Sequence, residues 1–368
     1  MINPKTAGLA YIARMFWRIL CRSLVIGTLL VGGSSCDGEG GPSVNGRSFI
    51  TDGKMRFTVD TYANSIAWSP DSRYLAASDQ RGHHLYVWDV TTGSTLFKVQ
   101  NGAGIFRGLS FTGDGRFVLG TAGNRLGTLS FDVWDARTGE RLRDVFGPDP
   151  KQVITGNSMA ESIAVSPDGR HIVVMYSGGR HFGIYDTASW QLESIVPHDA
   201  DQIIGVDFNP YGQILAMGGY SGHVYLFSFP QGEKIRTFRA EPVKPGNIQA
   251  LAFSPDGNFL AIATSVNPGE GNHQLRLWDA KTLSIVRAYE TGFNQTIDGL
   301  SYSPDGRYIA TIVYPSYVRI WDAQSDQMLR EISTGSNIPA VIAFSPDGRK
   351  LAYGGEAGIT VIDVKNQD

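Results

Sequence analysis

From Lys54 onward the chain is written in short apolar runs, many alternating with polar residues at a period of two and separated by Pro, Asp, Asn and Gly. Side chains in a strand point alternately to opposite faces, so this pattern predicts half-buried β-strands joined by tight turns. The pattern also repeats. Anchors stand at Ser69 (AWSPDSRYLAAS), Thr112 (SFTGDGRFVLGT), Ser166 (AVSPDGRHIVVM), Asn209 (DFNPYGQILAMG), Ser254 (AFSPDGNFLAIA), Ser303 (SYSPDGRYIATI) and Ser345 (AFSPDGRKLAYG), making seven units spaced 42 to 54 residues apart. Within each unit an alternating run leads into Pro-Asp-Gly or a variant of it. Proline presets φ and glycine accepts positive φ, so the chain reverses into a second strand. A third strand ends at Trp88-Asp89, Trp134-Asp135, Tyr185-Asp186, Phe227-Ser228, Trp278-Asp279, Trp321-Asp322 and Ile362-Asp363. A short fourth run follows in six units (TLFKV, RLRDV, QLESI, EKIRTF, SIVRAY, QMLREI), and its charged residues suit a sheet edge that must not pair with other proteins.

The innermost runs carry a second pattern. Large apolar residues (Ile66 and Trp68, Leu109 and Phe111, Leu251 and Phe253, Leu300 and Tyr302) alternate with small ones (Ser65 and Ala67, Gly108 and Ser110, Ala250 and Ala252, Gly299 and Ser301). Sheets that converge on an axis have no room for bulk on both faces of the inner strand. The seventh unit stops after its third run, GITVIDV, with only KNQD remaining, so its outer strand is missing. The segment KMRFTV, residues 54 to 59, has the charged-edge pattern and is expected to pair with the last unit.

The Ser-Pro-Asp-Gly turn followed by Trp-Asp is where the chain resembles the WD-repeat β-propellers, over residues 54 to 368. That resemblance implies an all-β fold: a seven-bladed β-propeller of four-stranded antiparallel blades, closed by an N-terminal strand completing the last blade. The family's Gly-His pair before the first strand and its Asp ahead of the Trp strand, which form a hydrogen-bonded network, are mostly missing here. In such a fold Asp207 stands on a channel wall where its counterparts are Ala or Ser. It is either a carboxylate satisfied by neighbouring backbone or channel water, or a ligand contact.

Composition agrees with many tight turns, with 44 Gly among 368 residues and only 18% charged side chains. The N-terminus differs from the rest. Lys5, Arg14, Arg18 and Arg22 precede the apolar run Leu24 to Val31, small residues follow, and Asp37 is the first acidic residue, which is the grammar of a signal peptide. Cys36 resembles the acylated cysteine of a bacterial lipobox, with Gly33 where Leu is usual, and is the expected lipid attachment site. The expected division is a signal peptide over 1–36 (with Met15 as an alternative start), a flexible Gly-rich spacer over 37–53 and the propeller over 54–368. The only other cysteine is Cys21, inside the signal, so the mature chain would carry no disulfide. Residues 1 to 35 hold four basic and no acidic side chains, and without them 28 basic residues face 35 acidic ones, a net of −7 that argues against nucleic acid as a partner.

Candidate chemistry is sparse. The nearest approach to a hydrolase elbow, GGYSGH at 218 to 223, fails the spacing, and the sequence holds no phosphate loop, dinucleotide fingerprint or HExxH. No cofactor or metal site is assigned. His83, His84, His181, His223 and His273 fall between second and third strands and are weak metal candidates, because separate blades would hold them apart. The loops entering the inner strands differ most between units. The entering residues are Asn64, Arg107, Glu161, Ile204, Gln249, Asp298 and Ala340, with Tyr62, Phe106, His198 and Phe293 nearby, and Tyr314 and Tyr317 in an aromatic turn on the same rim. Mixed aromatic, Arg and carboxylate character suits a protein or peptide partner. The longest such loop, residues 147 to 162, is a further contact candidate. The expected function is a non-enzymatic, membrane-tethered, extracytoplasmic interaction scaffold; the alternatives are a small-ligand or metal-binding sensor at the channel mouth, and a secreted or periplasmic soluble protein.

Overall fold

The strand, turn and register pattern of the sequence takes shape in a computed structural model that describes residues 48–51, 54–79, 84–100, 105–123, 129–147, 160–176, 180–200, 202–240, 246–265, 274–289, 291, 296–314, 316–335, 339–355 and 358–364. Every regular element among these residues is a strand, and none of them forms a helix long and apolar enough to cross a membrane. The strands make seven antiparallel sheets. The first blade is Ala63–Trp68, Tyr74–Asp79, His84–Asp89 and Ser94–Gln100, paired in chain order. Five more four-stranded blades follow, with inner strands Ile105–Phe111, Ala160–Val165, Ile203–Phe208, Asn247–Phe253 and Ile297–Tyr302. The protein is a seven-bladed β-propeller.

The last blade takes strands from both ends of the described chain. Pro339–Phe344, Lys350–Gly355 and Gly358–Asp363 are completed by Lys54–Phe57, in register Lys54 with Ile362 and Phe57 with Ile359. A fifth strand, Ser48–Thr51, pairs outside Lys54–Phe57 and lies in the stretch expected to be spacer. Two residues, Asp52 and Gly53, separate these strands, and Asp-Gly is a strong two-residue hairpin signal.

The Ser-Pro-Asp-Gly turns explain their own repetition. In the sixth blade the Ser303 hydroxyl donates to Asp305 Oδ1 at 2.6 Å and accepts from the Tyr308 amide at 2.9 Å, while Asp305 Oδ1 accepts from the Arg307 amide at 3.1 Å. Gly306 sits at φ +71°, where a side chain is strained, and the neighbouring blade's Pro255 lies beside it. Burial works against ionisation of Asp305, but the Ser303 hydroxyl and the Arg307 amide outweigh it and hold the carboxyl below its ordinary value. In the first blade Ser72 occupies the glycine place at φ +61°, and its hydroxyl accepts the Asp347 amide of the last blade at 2.9 Å. In the fourth, Asn209 replaces the Ser-Asp pair and accepts both the Gln213 and Ile214 amides. The Trp-Asp aspartate caps the next turn: Asp322 Oδ1 accepts the Gln324 and Ser325 amides at 2.8 and 2.7 Å.

The core lies between blades. Leu75 and Ala77 pack toward the last blade with Phe57, Trp88 and Ile359, whereas Ala76 of the same strand packs toward the second blade with Phe106 and Trp134. At the inner strands the blades come close: a Cβ on Gly108 would stand 3.0 Å from the Ser162 Cα of the next blade. Small residues here also leave inner-strand amides within reach of side-chain oxygens. Ser65 accepts the Leu109 amide at 3.1 Å and Ser301 accepts the Phe344 amide at 3.1 Å. Asp207 Oδ2 accepts the Phe253 amide at 2.8 Å in the same manner as Ser301. It is half-buried on the inner strand, and burial among the blades pushes its carboxyl up to about 7, against the pull of the Phe253 and Phe208 amides.

Phe57→Ala should destabilise the protein by about 3–5 kcal/mol in denaturant unfolding, because Phe57 is 1% exposed and packs on Trp88 at 5.0 Å in the closing interface. A loss below about 1 kcal/mol would mean that this strand does not close the ring in solution. Asp207→Asn keeps an acceptor for the Phe253 amide and removes the charge. The folded carboxyl titrates near 7 and a free aspartate at about 4, so the folded state binds the proton more tightly and loses stability as pH rises through 7. The variant should therefore exceed the natural protein in stability by on the order of 1–3 kcal/mol at about pH 8, with the gap closing as pH falls to about 4. A pH-independent gap would contradict this assignment.

Candidate functional site

Every inner strand slips register once, near its start. Pairing with the second strand shifts between Ala63 and Ser65, Phe106 and Leu109, Ala160 and Ser162, Ile203 and Gly205, Ile248 and Ala250, Ile297 and Gly299, and Pro339 and Val341. The residues placed out of register are Asn64, Arg107 with Gly108, Glu161, Ile204, Gln249, Asp298 and Ala340. These are the positions that sequence variability between units marked. A bulge bends the strand and re-aims the extra side chain, and here it does so at one equivalent place in all seven blades.

Three of the bulged side chains join neighbouring blades. Asn64 Nδ2 donates to the Phe106 carbonyl at 2.7 Å, linking the first blade to the second. Arg107 Nη1 lies 3.6 Å from Glu161 Oε1, linking the second to the third, with side chains only 14% and 10% exposed. Gln249 Nε2 donates to Ser265 Oγ at 2.7 Å within the fifth. Asp298, Ile204 and Ala340 are half-buried. The ring is therefore uniform in backbone geometry and mixed in chemistry.

Around it, Tyr62, Tyr314 and Tyr317 are half-buried on the same rim; the Tyr314 amide donates to the Thr296 carbonyl at 2.8 Å, and Tyr317 opens the third strand of the sixth blade. Two expected contact residues are interior instead. Phe106 is fully buried, its ring edge-on to Trp134 at 5.2 Å. His198 is 7% exposed and stacks on Phe182 at 6.3 Å; burial, then the neighbouring His181, push its imidazole down to about 4, so it is neutral at neutral pH. A cavity of about 400 Å³ runs beside it, lined by Pro197, Asp199, Phe227, Gly232 and Lys234, with Lys234 Nζ 2.9 Å from Asp199 Oδ2. Phe293, His83, His273 and residues 148–159 of the longest loop lie outside the described residues.

His84, His181 and His223 open the third strands of the first, third and fourth blades, one in each. Among the described residues they do not gather with one another; His84 instead meets Asp60 and Asp79, with donor atoms of all three within 4.8 Å of one another. Sequence reasoning missed these two aspartates and Lys98 beside them. Their only sequence signal is one acidic residue ahead of the inner strand and another at the end of the second strand of the same blade. A perturbed carboxyl elsewhere also escaped it: burial pushes Asp132 up to about 7, although the Arg141 guanidinium donates to it at 2.7 Å.

The family model described as WD domain, G-beta repeat matches residues 52–89, 190–228 and 232–279. Over 295 residues the chain is 22% identical to WD repeat-containing protein 1 of Xenopus tropicalis, which covers 78% of this chain and 45% of that protein. Over 331 residues it is 24% identical to Periodic tryptophan protein 2 of Arabidopsis thaliana, covering 83% of this chain and 34% of that protein. Over 304 residues it is 21% identical to Actin-interacting protein 1 of Drosophila melanogaster, covering 81% and 47%. The chain thus spans less than half the length of these relatives. The chain is thus a seven-bladed propeller in which three stretches are similar to the WD repeat.

Proposed function

We propose that the protein is a non-enzymatic platform that binds a protein or peptide partner at the rim where its inner strands begin. The observation that carries this reading is the row of bulges, one per blade, bearing Asn, Arg, Glu, Ile, Gln, Asp and Ala at a single repeated position. Constant geometry with varied hydrogen-bonding and charge is what a specific contact surface requires, since it admits one pattern of groups and penalises others. Tyr62, Tyr314 and Tyr317 add amphipathic aromatic area, the kind that anchors interfaces. The WD-repeat relatives support a scaffold, and one of them is named for interacting with actin. Those relatives are longer proteins, and this chain spans less than half of their length. The proposal also includes a tether: acylation at Cys36 would hold the platform on the extracytoplasmic side of a membrane, each buried methylene contributing about 0.8 kcal/mol.

Crosslinking and pull-down from intact cells should recover a specific protein, and Asp298→Arg should weaken its capture by about tenfold, or ~1.4 kcal/mol, while Arg170→Glu, exposed in a turn at the opposite end of the blades, leaves it unchanged. Recovery of no specific protein, alongside stoichiometric small-molecule binding, would overturn the scaffold reading. Cys36→Ser should move the protein from the membrane to the soluble fraction on cell fractionation. Unchanged membrane association would refute the lipid tether.

A further inference from the structure

Where the ring-closing segment enters the first blade, three donor atoms converge, one carboxylate oxygen each from Asp60 and Asp79 and one ring nitrogen of His84, all within 4.8 Å of one another. His84 Nδ1 stands 3.1 Å from Asp79 Oδ2 and 3.7 Å from Asp60 Oδ2. Ligands held at about 2.0–2.2 Å around a tetrahedral ion are roughly 3.4 Å apart, so these two separations already bracket the spacing an ion needs.

The donors are fixed from behind. The Tyr86 hydroxyl donates to Asp79 Oδ2 at 3.0 Å, the His84 amide donates to Asp79 Oδ1 at 3.1 Å, and the Asp60 amide donates to the Tyr86 hydroxyl at 3.0 Å. Outer hydrogen bonds of this kind orient metal ligands and hold them in place. The Asp79 side chain is fully buried, His84 is 17% exposed and Asp60 is 48% exposed, so the group has a protein floor and one open side.

A cation already answers to this charge. The Lys98 ammonium lies 2.6 Å from Asp60 Oδ2 and 5.4 Å from the centre of the Tyr86 ring. Two carboxylates beside an imidazole favour positive charge, and Lys98 supplies one unit of it at the end of a flexible stem whose side chain is 25% exposed.

We propose that Asp60, Asp79 and His84 form a binding site for a divalent first-row transition ion of the zinc type, taken up in exchange for the Lys98 ammonium, and that the bound ion clasps the ring closure. One imidazole nitrogen with two carboxylate oxygens selects zinc, cobalt or nickel over calcium and magnesium, which take all-oxygen shells. Three protein ligands leave the exposed side for water. Coordination through Nδ1 places the His84 proton on Nε2. The clasp follows from topology, because Asp60 lies between Lys54–Phe57 of the last blade and Ala63–Trp68 of the first, whereas Asp79 and His84 belong to the first blade alone. An ion that binds this folded arrangement and not the unfolded chain stabilises the ring by mass action.

The test is zinc titration of chelator-stripped, full-length protein, read by metal content and by the thermal unfolding midpoint, with His84→Ala, Asp60→Asn and Lys98→Met beside the natural chain. The natural protein should take up one ion more per chain than His84→Ala or Asp60→Asn, with a midpoint that rises and saturates at that stoichiometry. Lys98→Met, which removes the competing ammonium and keeps the stem, should bind about tenfold tighter. Cobalt should give visible bands that His84→Ala shifts or abolishes. Equal zinc uptake in the natural protein, His84→Ala and Asp60→Asn would overturn the site. Uptake without a rise in midpoint would overturn the clasp, and uptake confined to Lys98→Met would mean that the ammonium keeps the ion out of the natural protein.

Discussion

No blade of this propeller can bury both of its faces alone, and the rest of the structure follows from that. Along one second strand, Leu75 and Ala77 face the last blade while Ala76 faces the second. Apolar area is therefore removed from water only where two blades meet, and a ring of such contacts is stable only when its final contact is made. That contact joins distant parts of the chain: Phe57 packs on Trp88, Trp68 Nε1 donates to the Ala343 carbonyl at 3.1 Å, and Ser72 accepts the Asp347 amide at 2.9 Å. The strand Lys54–Phe57 belongs to the same closure, pairing with Gly358–Asp363 and placing Phe57 in the first blade's interface.

Convergence of the blades then dictates what the inner strands can carry. Gly108 stands where any Cβ would press on the Ser162 backbone, and short polar side chains such as Ser65 and Ser301 fit by accepting an amide from the next blade. Asp207 fills the same role with a carboxylate, and burial raises its affinity for a proton. The register shift near the start of each inner strand lets the strand bend as it enters this crowded region, and it turns one side chain per blade toward the rim.

The two ends of the blades consequently differ in chemistry. At the Ser-Pro-Asp-Gly end, most polar groups are consumed locally, as Ser303, Asp305 and the Tyr308 and Arg307 amides satisfy one another within a few residues, with Ser72 reaching across to the Asp347 amide as an exception. At the other end, polar side chains reach across blades, as Asn64 does to Phe106 and Arg107 to Glu161, so the pattern there depends on which blades are neighbours. The Asp60, Asp79, His84 and Lys98 group belongs to the first blade and its entering segment, and it combines two carboxylates, an imidazole and an ammonium without a fixed local motif.

The sequence by itself determined the seven units, their turns, the alternation of bulk on the inner strands and the strand that completes the last blade, because these are properties of adjacent residues: strand period, proline and glycine torsions, and a count of runs. It also marked the positions that prove to be bulged, since they vary while the frame around them repeats. Only the tertiary structure decided what those neighbourhoods do. Phe106 and His198 read as rim residues, yet packing against Trp134 and Phe182 draws them inside, and the extra strand Ser48–Thr51 gave no sign beyond its Asp-Gly link. The meeting of Asp60 with Lys98, 38 residues apart, carries no spacing that could announce it. Torsions and periodicity act along the chain, whereas burial, charge pairing and donor convergence act through space, and they take their values only once the ring is closed.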